Sequence, residues 1–337
     1  MSPGVDVQGW VMDPRDWSFE YWFVEAKKAQ ASGYFAVNID SPFSHQMTKG
    51  NYDIIVLHYA SIKCISAALV SLFLDKEVYF FVPNTKFDWR SESKLKEALK
   101  KTLFNMAGGL LVTGPRQREY TENYLRKENV SKISVIGNPT RDLSGERGEN
   151  IIEYKKAFFS KDGGIRLLYV GRLSEEKSLE TLLYSLGEVN KEGYLAHLTV
   201  VGSGPQLESL KRLSETLSIN VEFAGFVQQD GLKPYFMQSD IFVLPSASEP
   251  WGLVVNEAME FCLPLILSSH VGCSPVLLKE GVNGFQFPAG DHKRLANCII
   301  RIASNSHLAE EMGLESKRLV QEHSIDQWCD CVIDAFN

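Results

Sequence analysis

Ser246-Ala-Ser-Glu249-Pro-Trp-Gly252-Leu-Val-Val-Asn-Glu257-Ala-Met259 is the stretch on which the reading of this chain turns. The apolar run Asp240-Ile-Phe-Val-Leu244 leads into it and reads as a buried strand. Leu253 to Phe261 then has a helical pattern, and Pro264-Leu-Ile-Leu267 follows as a further buried strand. Strand, polar loop, helix and strand make the repeating unit of a parallel sheet covered by helices. Glu249 falls in the loop at the strand's carboxyl end, Gly252 and Leu253 open the helix, and Glu257 lies more than a turn inside it. The first amides of a helix have no partner within it and favour an anion. A carboxylate accepts from paired hydroxyls, which suits a ribose or a hexose. Glu near a helix start also serves simply to offset the helix dipole.

Working outward, the same alternation fills the second half. Arg166–Val170, Ala196–Val201 and Val221–Ala224 read as strands, and Leu179–Val189 and Gln206–Leu217 as helices. The first half reads likewise: strands at Gly33–Ile39, Tyr52–Leu57, Val78–Val82, Gly109–Thr113 and Ile133–Ile136, with helices at Phe19–Ala31 and Leu95–Phe104. Two doubly wound α/β domains are expected, since 337 residues exceed one ordinary core. Polar breakers at Gly145–Asn150 and Lys161–Gly164 put the boundary between them. The expected division is 1–155, 156–322, and a terminal helix in 323–337 that packs back on the first domain. Ligands in such folds bind at the strands' carboxyl ends.

Two further loops carry chemistry. Gly171-Arg172-Leu-Ser-Glu-Glu-Lys177 follows a strand and brackets a flexible turn with two cations, a planar fork and a point charge, a pair suited to a diphosphate or to a solvated turn. Gly202-Ser203-Gly204-Pro205 follows the next strand and either presents amides to a polar ligand or makes a tight turn. Leu207 stands where a dinucleotide fingerprint has its third glycine.

The pieces Tyr169–Leu173 with Lys177, Val200–Pro205, Gly225–Val227, Pro245-Ser246, Glu249–Met259 and Gly281–Phe285 occur together in an order and spacing that resembles family 4 of the retaining glycosyltransferases, over residues 168 to 291. The resemblance implies a GT-B fold, two Rossmann-like domains facing a deep interdomain cleft, with a nucleotide-diphosphate sugar held by the second. Arg172 and Lys177 would neutralise the diphosphate and, with Glu249 on the sugar hydroxyls, carry catalysis. Gly171, Ser246, Pro250, Trp251 and the amides of Gly252, Leu253 and Val254 would line the sugar and distal phosphate. Glu257 would bind the ribose, and Gly202, Ser203, Gly204, Phe226 and Val227 would border the base. The family keeps the anomeric configuration, needs no divalent metal and no cofactor beyond its co-substrate, of UDP or GDP type. Glycan or lipid-linked acceptors are implied.

The first half departs from that pattern. After Gly9–Met12 comes Asp13-Pro-Arg-Asp16-Trp17 where relatives place a glycine pair, and Asn84 stands near the place of a usual His. Asp16, His58, Asn84 and Arg116 are the expected acceptor or sugar contacts. Asn84 in that place also suits a donor without a primary hydroxyl. A catalytically silent GT-B partner subunit is an alternative. So is an NAD(P)-dependent oxidoreductase, which leaves Glu249 and Glu257 without a role.

Composition bounds the rest. A formal net charge of −7 argues against a nucleic-acid partner. The acidic excess lies beyond residue 150, and the Lys94–Lys101 cluster suits a solvated helix face or an anionic membrane surface. Six scattered cysteines without a C-x-x-C pair suit a reducing compartment. No apolar run reaches spanning length. A cytoplasmic protein, at most peripheral at the inner membrane surface, is expected.

Overall fold

The computed structural model describes the strand residues 5–7, 10–12, 33–37 and 52–58, then residues 77–88, 94–139 and 164–336. The chain divides into two compact units: Met1–Lys86, Arg90–Gly137 and Asp326–Asn337 form one, and Asn138–Ile325 with Phe87–Trp89 the other. The expected helix at Phe19–Ala31 and most of both polar breakers lie outside the described residues.

In the first unit β1 (Val5–Val7) and β2 (Trp10–Met12) form an antiparallel pair. Trp10–Met12, which precedes the loop where relatives place a glycine pair, thus pairs with Val5–Val7. The parallel sheet comprises β3 (Gly33–Val37), β4 (Tyr52–His58), β5 (Glu77–Val82), β6 (Gly109–Val112) and β7 (Ile133–Val135), in sequential order. Alternation along β5 splits its side chains between two faces. Val78, Phe80 and Val82 pack with Leu103 and Phe104 of α1 (Lys94–Met106), and Tyr120 of α2 (Pro115–Glu122) packs against the same cluster. Tyr79 packs with Ile54, Leu111 and Ile136 on the other face, which the C-terminal helix covers through Val332, Trp328 and Phe336. Gly109 is required there, because a Cβ would sit 2.2 Å from the Tyr79 ring.

The second unit has a six-stranded sheet. Its strands are β8 (Ile165–Val170), β9 (Ala196–Val201), β10 (Asn220–Gly225), β11 (Ile241–Leu244), β12 (Leu265–Ser268) and β13 (Gly284–Phe287). Spatial order is β10-β9-β8-β11-β12-β13 and all neighbours are parallel. The order reverses between β8 and β11, the point where a doubly wound sheet opens a crevice at its carboxyl edge.

The helices of this unit are α3 (Leu179–Lys191), α4 (Leu207–Thr216), α5 (Lys233–Gln238), α6 (Leu253–Glu260), α7 (Ser274–Leu277), α8 (His292–Ala303) and α9 (Ser306–Val320). The terminal helix of the first unit is α10 (Ile325–Asp334). In α3, Leu179, Leu182, Leu183, Leu186 and Val189 are spaced to form one buried face. Asp291 and Asn305 accept from the amides of Arg294 and Leu308 and so cap α8 and α9. Among the described residues no helix is long and apolar enough to cross a membrane.

Passage between units comes at Gly137 and Asn138, earlier than the composition shift at 145–164 suggests. Ile136 still belongs to the first core, whereas the Asn138 carbonyl accepts from Asn256 Nδ2 of α6 at 3.4 Å.

At the amino edge of the second sheet, Arg166 grips Asp240 with Nε and Nη2 at 2.9 and 2.6 Å, and the Arg166 amide adds a third bond at 2.9 Å. Asp240→Ala leaves the guanidinium without its fork partner next to a buried strand. We expect a loss of about 2 kcal/mol, discounted because Arg166 is partly exposed. Urea denaturation checks it, and ligand affinity at the opposite edge is expected to be unchanged.

Candidate functional site

The loops leaving β8, β9, β10 and β11 all emerge at the sheet's carboxyl edge, and their backbones are tied to one another. The Gly171 amide donates to Val201 O at 2.9 Å, Leu173 N to Ser203 O at 2.9 Å, and Gly202 N to Gly225 O at 2.7 Å. The glycines follow from this closeness. A Cβ on Gly202 would lie 1.8 Å from Gly171 O, and one on Gly204 2.3 Å from Leu173 O. Gly202 and Gly204 thus serve the fit of one loop on another, with Ser203 exposed between them. A dinucleotide fingerprint belongs after the first strand of such a sheet, here β8, and Gly202-Ser-Gly204 follows the second.

Tyr169 underlies the first loop. Its fully buried hydroxyl donates to Arg172 O at 2.8 Å, and a Cβ on Gly171 would lie 2.7 Å from that hydroxyl. Burial, with the nearby Glu249 and Glu176 charges, raises the phenol's pKa well above its ordinary value, so it remains a donor. Arg172 itself is exposed, and its guanidinium makes no hydrogen bond or ion pair among the described residues.

Lys177 ends a single 3-10 turn, Glu175–Lys177, after which Ser178 takes a left-handed conformation and starts α3. Its Nζ lies 2.6 Å from Glu249 Oε2, and the two side chains are only 17% and 13% exposed. The pair joins the ends of β8 and β11 across the point of reversed strand order. The backbone repeats the junction: Ala247 N and Ser248 N donate to Glu176 O at 2.9 and 3.1 Å. Burial pushes the Glu176 carboxyl up, but the Ser174 hydroxyl at 2.7 Å, with Lys177 and Arg172 nearby, holds it below its ordinary value. Glu249 Oε1 makes no hydrogen bond among the described residues, so this oxygen is open to a hydroxyl donor.

Gly252 adopts a left-handed conformation, φ 94°, as the turn into α6. The amides of Gly252, Leu253 and Val254 make no hydrogen bond among the described residues. Trp251 is buried and its Nε1 donates to Asn256 at 3.1 Å, so its ring braces the start of α6 from below. Ser246 is also fully buried, its Oγ without a hydrogen-bond partner, while Pro250 is half-buried. Glu257 projects toward the loop after β10, where Gln229 Nε2 donates to its Oε1 at 3.2 Å. Burial raises the Glu257 pKa and the Gln229 bond offsets part of that rise. Phe226 is half-exposed on the same loop beside Val227.

The second unit therefore gathers Arg172, Lys177, Glu249, the α6 amides and Glu257 along one edge. Asp16 lies outside the described residues. In the first unit, His58, Asn84 and Arg116 fall at the carboxyl ends of β4, β5 and β6. Gln229, Tyr169, Glu176 and His270 do not stand out by residue pattern. Their roles arise from loop-to-loop contact. Among the described residues no cluster of His, Cys, Asp and Glu is arranged to hold a metal ion.

Comparison with known proteins places the chain in a family. An uncharacterized glycosyltransferase of Methanocaldococcus jannaschii is 31% identical over 176 residues, 52% of this chain and 45% of that one. Sulfoquinovosyl transferase SQD2 of Arabidopsis thaliana is 31% identical over 164 residues, 48% of this chain and 30% of that one. The chain thus spans less than half the length of these relatives. The Anabaena protein HepE, solved in complex with UDP, superposes with a TM-score of 0.73 at 18% identity, covering 85% of this chain and 78% of HepE. That likeness establishes a GT-B fold. The sequence profile of the family described as glycosyl transferases group 1 matches residues 150–319, which take in the whole carboxyl-edge cluster. On that match and that fold, the chain belongs to the group 1 glycosyl transferases.

Proposed function

We propose that this chain transfers a sugar from a nucleoside-diphosphate sugar of UDP or GDP type to a glycan or lipid-linked acceptor, with retention of anomeric configuration and without a divalent metal. The observation that carries the reading is the largely buried Lys177–Glu249 pair at the reversal between β8 and β11, beside the unbonded amides that open α6.

Each group has a task in this reaction. Lys177 has three N–H donors, of which Glu249 takes one, so two are left for a diphosphate. Arg172 adds a second, exposed cation. Together they stabilise the charge that grows on the diphosphate as the bond from the anomeric carbon to the β-phosphate oxygen breaks and its electron pair moves to that oxygen. The α6 amides meet the distal phosphate or sugar without reorganisation. Glu249, held at Oε2 by Lys177, accepts a sugar hydroxyl at Oε1 and does not act as a nucleophile. The acceptor oxygen bonds on the face the diphosphate leaves, and its proton passes to the departing phosphate oxygen. Glu257 accepts from the ribose diol, and Phe226 borders the base. The relatives named as glycosyltransferases and the UDP complex of HepE support the substrate class.

Glu257 gives the reaction a pH signature. Its folded pKa lies above 4.5, so the carboxylate takes up a proton earlier on acidification than an exposed Glu. Protonation weakens a charge-assisted bond to the ribose. Affinity for the nucleotide is therefore expected to fall as pH drops through that raised value, and Glu257→Gln should flatten the profile at a lower affinity. Calorimetric titrations from pH 4.5 to 8 check this, and an unchanged profile in the variant contradicts the role. The reaction itself is tested with labelled UDP- and GDP-sugars. Release of nucleotide that continues in EDTA, with an axial-to-axial or equatorial-to-equatorial product by NMR, is expected. Inversion contradicts the mechanism.

A further inference from the structure

The segment after β12 takes no part in the chemistry above, yet it holds the loop that does. Ser268 Oγ donates to Ser246 O, Gly272 N to Glu249 O at 2.8 Å, and Cys273 N to Trp251 O at 3.1 Å. Between them, His270 Nδ1 lies 2.9 Å from Ala247 O. A carbonyl only accepts, so Nδ1 carries a hydrogen and the imidazole's orientation is fixed. Ala247 is gripped on its other side by Glu176 O, one residue before Lys177. The imidazole also lies flat on Phe87, with centroids 4.0 Å apart and planes 17° apart. Phe87 comes from far earlier in the chain, yet belongs to the second unit. The ring is thus fixed by an in-plane bond and by a face contact, and its bonded end meets the loop two residues before Glu249.

On the reading proposed above, we infer that His270 is a positioning residue for the donor site. It pins Ala247 and thereby keeps the Lys177–Glu249 pair at the place the diphosphate and sugar occupy. His270 contacts no substrate, and its effect passes through one backbone carbonyl. A preformed loop spares the ligand the cost of ordering it.

The test is calorimetric binding of UDP, GDP, uridine and guanosine to the full chain. H270A is expected to weaken the nucleoside diphosphate about tenfold while the matching nucleoside, which does not reach the pair, binds as before. Asn places an N–H where Nδ1 was, so H270N should recover most of the affinity. Gln places its N–H where the other ring nitrogen was, so H270Q should not. If H270A does not fold, the contrast between H270N and H270Q carries the test. Equal diphosphate affinity in H270A and the unaltered chain overturns the inference. So do equal losses in H270N and H270Q, or a loss shared by the nucleoside, since these mark general packing. Failure of the unaltered chain to bind either diphosphate overturns the functional reading instead.

Discussion

Lys177→Ala is expected to lower sugar transfer about a hundredfold with the fold intact. Two losses combine. A charge-assisted hydrogen bond to the diphosphate is worth roughly 1.5–3 kcal/mol, which alone spans about ten- to a hundred-and-fifty-fold in rate. The substitution also leaves the Glu249 carboxylate, only 13% exposed, without its 2.6 Å partner and facing an anionic ligand. Repulsion then replaces attraction at the leaving group. Both side chains are largely buried, so leaving Glu249 unpaired is also expected to cost about 2 kcal/mol of stability, a lower melting temperature in a chain that still folds. Steady-state kcat/KM for the donor, with a melting curve, checks both parts. Turnover within about threefold of the unaltered chain contradicts the assignment of Lys177.

Gly202→Ala is expected to cost roughly 3 kcal/mol or more in stability and to abolish donor binding. The residue has φ 145°, which L side chains rarely adopt, and its Cβ would stand 1.8 Å from the Gly171 carbonyl oxygen. The backbone cannot give way without parting the two loops that meet there, and one of them carries Arg172 and Lys177. Gly225→Ala is the control. It too has a positive φ, 75°, but no atom lies within 4 Å of the added carbon. It should cost only the conformational penalty, about 1–2 kcal/mol. Urea denaturation of both variants measures the difference, and equal costs would contradict the loop-contact account.

The elements legible in the sequence are those whose periodicity is strong. β9 is read to the residue, and β8, β11 and α6 to within a residue, because the strands are short apolar-rich stretches ended by Gly171, Gly202 and Pro245, and α6 opens at Gly252. β13 is harder to read. It has four residues, begins with glycine and alternates an exposed Gln into an apolar set. Its glycine is explained only by the neighbouring strand, since a Cβ at Gly284 would lie 2.0 Å from Leu265 O. Between Gly284 and Val320 the helices α8 and α9 were not expected, although Asp291 and Asn305 are ordinary cap residues and Leu295, Ile299 and Ile302 mark a helical face. Those signals suffice to find α8 and α9.

At the site, residue types and spacing single out Lys177 and Glu249, but not that they touch. Seventy-two residues separate them, and the strand order that brings β8 beside β11 is not written in either loop. The same holds for His270 and Phe87, which no local pattern joins. Gly202-Ser-Gly204 admits a ligand-binding and a structural reading from sequence. The distances to Gly171 and Leu173 give its glycines a structural role.

On the proposed function, the carboxyl edge between β8 and β11 binds a nucleoside diphosphate through protein cations. A thermal-shift panel of UDP, GDP, ADP and their sugars, run without and with EDTA, tests it most directly, since a ligand that binds the native state alone raises the melting temperature with its concentration. The account predicts a clear shift for UDP or GDP that survives EDTA and disappears in Lys177→Ala. No shift with any nucleotide, or a shift that EDTA abolishes, would contradict it.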